Sequence, residues 1–130
     1  MKILVGYQGV NVGKDLLEIA SSHARAFDGQ VIVVTSMKGG PNTHAKEVKT
    51  AEDNLAAVQS FFKEKKIPCE THLLVRGMEP GEDIVAFANE NKVDEIIIGV
   101  RSRSKVGKLL FGSTSQVVIL QASCPVVTVK

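Results

Sequence analysis

Several β-branched runs of this chain are continuously apolar rather than alternating, among them VIVV at Val31–Val34, EIIIGV from Glu95, and PVVTV from Pro125. A strand with one wet face alternates apolar and polar residues, whereas a strand covered on both faces has no reason to. Such runs demand a sheet with a layer packed on each side. Two shorter runs, Ile3–Val5 and His72–Val75, bring the candidate strands to five: Ile3–Val5, Val31–Val34, His72–Val75, Glu95–Ile98 and Val126–Val129.

The intervening segments carry helical periodicity. Residues 13–27 place Leu16, Leu17, Ile19, Ala20, His23, Ala24 and Phe27 near one face, with Gly29 as the expected stop. Residues 44–65 repeat Val48, Ala51, Leu55, Val58, Phe61 and Phe62. Residues 80–91 open on Pro80, suited to a first helical turn, and continue through Ile84, Val85, Phe87 and Ala88. Residues 113–122 carry Val117, Val118 and either Leu120 or Gln121 ahead of Cys124 and Pro125. The order βαβαβαβαβ predicts an α/β fold: an open parallel five-stranded sheet with helices on both faces. In such sheets ligands sit beyond the carboxyl ends of the strands, where strand order reverses. Those ends are residues 7–13, 35–40, 76–81 and 99–112.

With 130 residues, 44% of them hydrophobic, one core and a single domain over 1–130 are expected. The opening MKILVGY is not a basic leader followed by a long apolar stretch. No segment approaches the roughly 20 apolar residues of a membrane span. A cytoplasmic protein is the expectation. Cys69 and Cys124 lie far apart without CxxC spacing, and His23, His44 and His72 are as scattered. The expectation is reduced, buried thiols, solvated or locally bonded histidines, and no metal ligand set.

Charge is distributed unevenly. The first 95 residues hold 11 basic and 14 acidic groups, a net of −3, and no acid follows Glu95, whereas Arg101, Arg103, Lys105, Lys108 and Lys130 do. A short, focused positive region suits a local anion site better than a nucleic-acid surface.

That region lies within Gly99–Ser115, GVRSRSKVGKLLFGSTS, which joins a buried strand to a helix. Gly99 and Gly112 permit close backbone approach, the helix start offers N–H groups to an anion, and Ser113 or Thr114 can cap the helix or donate to a phosphate. The same composition also describes a solvated basic connection whose serines merely cap a helix. A Walker A loop requires GxxxxGK[ST]. The nearest match, 102–109, has Ser102 for the first Gly and Leu109 for the metal-binding hydroxyl, and so is excluded. The turn Gly6–Gly13 is glycine-rich but not GxGxxG, and Gly77–Gly81 reads as the start of a helix.

The spacing of the loop resembles the signature of the universal stress protein family: Gly, two residues, Gly, nine residues, Gly, then Ser or Thr. Gly99, Ser102, Gly112 and Ser113 fall on its four positions. The resemblance extends from the KILVGYQG opening through GMEPGEDIV to the CPVVTVK ending. It implies a Rossmann-like sheet of the adenine nucleotide alpha hydrolase-like type, with strand order 3-2-1-4-5. It also implies an ATP or AMP site, with phosphates near Ser102, Gly112, Ser113 and Thr114, ribose near Gly99, and adenine near Gln8 and the backbone at Ser36. The loop's own Arg101, Arg103, Lys105 and Lys108 would supply opposing charge, and a loop so poor in carboxylates neither requires nor excludes an Mg that arrives with the phosphates. Two positions depart from the family pattern. Ser102 replaces the middle Gly, putting a Cβ and a hydroxyl near the phosphates, and Gln8 stands where nucleotide-binding members carry an acidic residue.

Three functional classes follow. The first is a nucleotide-binding stress-response or regulatory module that forms a homodimer through Val126–Val129. The second is a slow ATPase, for which the loop supplies no general base and Glu79, Glu82 or His44 would have to serve. The third is a nucleotide-free interaction protein, favoured by Ser102 and Gln8. A flavodoxin-like carrier is a poor match for a chain with one Tyr and no Trp.

Overall fold

The computed structural model describes residues 1–8, 13–41, 43–100 and 112–130. Its elements run β1 (Lys2–Gly6), α1 (Gly13–Phe27), β2 (Gln30–Met37), α2 (Ala45–Glu64), β3 (Cys69–Val75), α3 (Pro80–Asn91), β4 (Glu95–Gly99), α4 (Ser113–Gln121) and β5 (Val126–Val129). The sheet is parallel throughout and ordered β3-β2-β1-β4-β5, as the family resemblance implies.

Adjacent residues of each central strand enter opposite cores. Ile3, Val5, Val31, Val33 and Ile97 pack with Leu16, Leu17 and Ala20 of α1 and Leu55, Val58 and Phe62 of α2. Leu4, Ile32, Val34, Ile96 and Ile98 pack on the other face with Ile84, Phe87 and Ala88 of α3 and Val118 of α4. VIVV and EIIIGV thus lie in strands buried on both faces, whereas PVVTV forms the edge strand β5 and is only partly buried.

Three elements differ from the sequence expectation. The second strand runs on through Thr35 and Ser36, polar residues whose backbone extends past the end of β1. The third begins at Cys69 rather than His72, because an edge strand needs less apolar character; its first half is only partly buried. The fourth helix buries Val118 but leaves Leu120 81% exposed.

The helix stops also differ from the expected glycine stop. α1 ends on Asp28 in the left-handed region (φ 50°), with the Gly29 N–H bonded to the Ala24 carbonyl at 2.8 Å. Lys66 and Lys92 repeat the arrangement (φ 58° and 51°), with Ile67 and Val93 closing on Phe62 and Ala88. Each is a six-to-one closure that satisfies an end carbonyl and turns the chain into the next strand. Gly29 serves close approach instead, since a Cβ there would lie 2.8 Å from the Met1 carbonyl oxygen.

Candidate functional site at the carboxyl edge of the sheet

The site begins where β1 ends. Gly6 is level with Val34 of β2 and Ile98 of β4, and the Tyr7 N–H donates to the Val34 carbonyl at 2.8 Å. In a parallel ladder a residue turns its N–H and C=O to the same side, and successive residues alternate. Val34 faces β1, so Ser36 faces the same way, into space that β1 has vacated. Its two backbone groups form a ledge carrying one donor and one acceptor. Gln8 occupies this ledge. Its Oε1 accepts the Ser36 N–H at 2.9 Å, and its Nε2 donates to the Ser36 carbonyl at 3.0 Å.

Below the ledge the Ser36 side chain points into the other core, where its Oγ donates to Asp83 Oδ2 at 2.6 Å. Asp83, in the first turn of α3, is fully buried. Arg76 compensates its charge, with Nε at 2.7 Å and the second guanidinium arm at 2.6 Å from Oδ1. Arg76 also pairs with Glu90 at 2.7 Å and lies over the Phe87 ring. The Glu90 hydrogen bond, more than Asp83, holds the guanidinium pKa above its usual value. Thr35 donates its hydroxyl to the Tyr7 carbonyl, fixing the chain as it leaves β1.

On the α2 side a pocket of about 600 Å³ opens between Tyr7, Gln8, Thr35 and Met37 below and His44, Glu47 and Thr50 above. Tyr7 is held by close approach, since a Cβ on Gly13 would lie 3.0 Å from its ring.

Across β1, Gly99 ends β4 and Gly112 is the N-cap of α4, with Ser113 as the first helical residue. The cap therefore falls to Gly112, not to the Ser113 or Thr114 hydroxyl. The serine that fastens the loop ends is Ser115, whose Oγ donates to the Gly99 carbonyl at 3.1 Å. The structure thus pairs Gln8 with Ser36 and ties Gly99 to the first turn beyond Gly112. Arg101, Ser102 and Arg103 lie outside the described residues. Of the three side chains considered as bases, His44 lines the pocket, Glu79 is paired with Lys38 at 3.2 Å, and Glu82 lies in the first turn of α3.

Sequence reasoning missed Asp83, Arg76 and Thr35; Ser115 lay within the Gly99–Ser115 segment, but its bond to Gly99 did not show there. Two acids in the first turn of α3, Glu82 and Asp83, of which only one can face solvent freely, were the available signal for the first.

Elsewhere, two of the three histidines are paired: His23 Nδ1 meets the buried Glu95 at 2.7 Å and His72 meets Glu70 at 3.3 Å. The thiols are half-buried rather than buried. Desolvation, and secondarily Glu70, pushes the Cys69 pKa up to about 12. Burial, then Asp94 and Glu95, raises that of Cys124. Among the described residues no cluster of His, Cys, Asp or Glu could hold a metal ion, and no helix is long and apolar enough to cross a membrane.

A doubly wound parallel sheet of order 3-2-1-4-5, with a polar ledge on one side of the reversal point and a glycine-capped helix start on the other, is a Rossmann-like α/β domain with a ligand-type crevice. The chain belongs to the universal stress protein family, whose sequence profile matches residues 1–130. A universal stress protein of Thermus aquaticus is 30% identical over 137 residues, covering 98% of this chain and 97% of its own. The solved structure of a universal stress protein from Archaeoglobus fulgidus superposes with a TM-score of 0.90 at 37% identity, covering 99% of this chain and 97% of that one. An Archaeoglobus fulgidus universal stress protein solved in complex with dAMP gives 0.83 at 33% identity, covering 99% and 96%.

Proposed function

We propose that this chain is a cytoplasmic stress-response module that binds an adenine nucleotide, ATP or AMP, across the end of β1. The observation that carries the reading is the Ser36 ledge. Adenine presents an acceptor at N1 beside a donor at N6, the complement of one backbone N–H and one backbone C=O. Guanine presents the reverse pattern. β2 and β4 stand two strand spacings apart, roughly 10 Å, which suits a nucleotide with its base at Ser36 and its phosphates toward α4.

There the N–H groups following Gly112, with Ser113 and Thr114, would receive the phosphates, Gly99 would lie against the ribose, and Ser102, Arg101 and Arg103 would complete the anion site. Any Mg would be held mainly by the phosphates and water. The dAMP complex of the 33% identical relative supports an adenine nucleotide as the ligand class.

The test is calorimetric titration of nucleotide-stripped protein with ATP and AMP, with and without Mg, beside Gly112→Val. Saturable binding that the substitution abolishes is expected; absence of binding to either nucleotide refutes the reading.

The proposal includes a homodimer through Val126–Val129. β5 stands at the sheet edge. The Pro125 and Val129 carbonyls accept from Ile96 of β4 and from Val100 just past it, so by alternation the backbone groups of Val126 and Thr128 face outward. An apolar edge of this kind requires a cover. Sedimentation should give a dimer at micromolar concentration, and Thr128→Pro, which removes an outward N–H, should give a monomer.

A further inference from the structure

We propose that Gln8 is a built-in competitor for the purine edge, so that the base subsite of the free protein is closed by the protein's own amide. The proposal rests on the nucleotide reading above and deepens it.

A primary amide and the N1/N6 edge of adenine carry the same pattern, one acceptor beside one donor. At the ledge the assignment is fixed by the partners: the Ser36 N–H requires an acceptor and its carbonyl a donor, and Gln8 supplies both, at 2.9 and 3.0 Å. Both backbone groups are thereby satisfied, and a base cannot reach either without breaking the pair.

The ledge cannot retreat to make room. Ser36 is 2% exposed, it sits within β2, and its hydroxyl is tied to buried Asp83. Gln8 can retreat. It is exposed, it follows the last residue of β1 by two positions, and it borders the 600 Å³ pocket into which its side chain can swing. The rigid partner and the movable one are therefore those a displaceable plug requires. An acidic residue at position 8 could accept from the Ser36 N–H but could not donate to its carbonyl. The two-point closure is a property of the glutamine.

Binding through a closed subsite is weakened by the fraction of molecules in which it is open. Two neutral hydrogen bonds of ordinary net strength hold the plug, so opening it permanently should tighten adenine nucleotide binding roughly tenfold.

The experiment is calorimetric titration of wild type and Gln8→Ala with ATP and with GTP, after circular dichroism has shown equal folding. The expected result is saturable ATP binding by both proteins, about tenfold tighter in the variant, with GTP unchanged. Wild-type ATP binding that the variant matches or weakens overturns the plug while leaving the nucleotide reading intact. An equal gain for GTP also overturns it, because added room rather than a freed edge would then explain the effect. If neither protein binds ATP, the nucleotide reading falls and the plug falls with it.

Discussion

Arg76→Met is the substitution whose cost the structure fixes best. Methionine keeps an unbranched stem over Phe87 but removes both donors, at 2.7 and 2.6 Å, from a carboxylate with no exposure to water. Removing one partner of a buried ion pair costs about 3–5 kcal/mol. Asp83 retains the Ser36 hydroxyl at 2.6 Å, and its place in the first turn of α3 recovers up to about 1 kcal/mol from the helix dipole. The expected loss is therefore at the low end, about 3 kcal/mol. For a domain of this size that lowers Tm by about 10 °C. The other arm of the guanidinium contributes little, because Glu90 is half-exposed: Glu90→Gln should cost less than about 1 kcal/mol. Urea unfolding followed by circular dichroism at pH 7 measures both. Arg76→Met with Asp83→Asn should be more stable than Arg76→Met alone, since the uncompensated charge is gone. A loss below about 1 kcal/mol for Arg76→Met, or a double variant as damaged as the sum of its parts, would refute the claim that Arg76 compensates a buried charge.

Other perturbations read other parts of the fold. Gly81→Val places a Cβ 2.8 Å from that of Val117 and 3.1 Å from the Thr114 carbonyl oxygen, and should destabilise by about 1–3 kcal/mol as α3 and α4 are pushed apart; an unchanged urea midpoint would show that the helices part freely. His23→Ala leaves the buried Glu95 carboxylate without its 2.7 Å partner and should cost about 1–3 kcal/mol in the same assay. Because the folded Cys69 thiol holds its proton up to about pH 12 against an ordinary value of 9.0, its contribution to stability is complete below pH 9 and declines as pH rises toward 12. Cys69→Ala should flatten that decline, and a slope identical to wild type would contradict the assigned cause.

The sheet was legible because burial on two faces leaves continuous apolar runs, although residues 117–120 of α4 show that a helix can carry one too. Ile96, Ile97 and Ile98 enter the two cores alternately, so uninterrupted apolar character reported both the strand and its two covering layers. Strand order was not in that mark. Periodicity says that a strand is covered, not which strand lies beside it, and the order came from the family resemblance. The edge strand β3 was half-read for the same reason: with one neighbouring strand it needs fewer apolar residues, and Cys69, Glu70 and Thr71 satisfy pairing with Val31, Ile32 and Val33 by backbone alone.

The site divides along a similar line. Glycine spacing exposed Gly99 and Gly112, because a chain that must approach a ligand or cap a helix is restricted in residue type. The Asp83, Arg76 and Ser36 cluster joins residues from three elements, and each is unremarkable in its own segment. Ser36 could be named from the resemblance, but what makes it a ledge is the register of β1 against β2. Two residues past the last shared rung, a strand interior becomes an unpartnered donor and acceptor. Whatever fills that position must present the complementary pair. The Thr35 hydroxyl holds the Tyr7 carbonyl, and the next residue, Gln8, reaches the ledge. Thr35 is thus a positioning residue for the plug: losing its bond to the Tyr7 carbonyl should release Gln8 and tighten ATP binding in the same direction as Gln8→Ala. Thr35→Val tests that, and a variant that binds ATP no better than wild type while Gln8→Ala binds it better would mean that Gln8 reaches the ledge without help from β2.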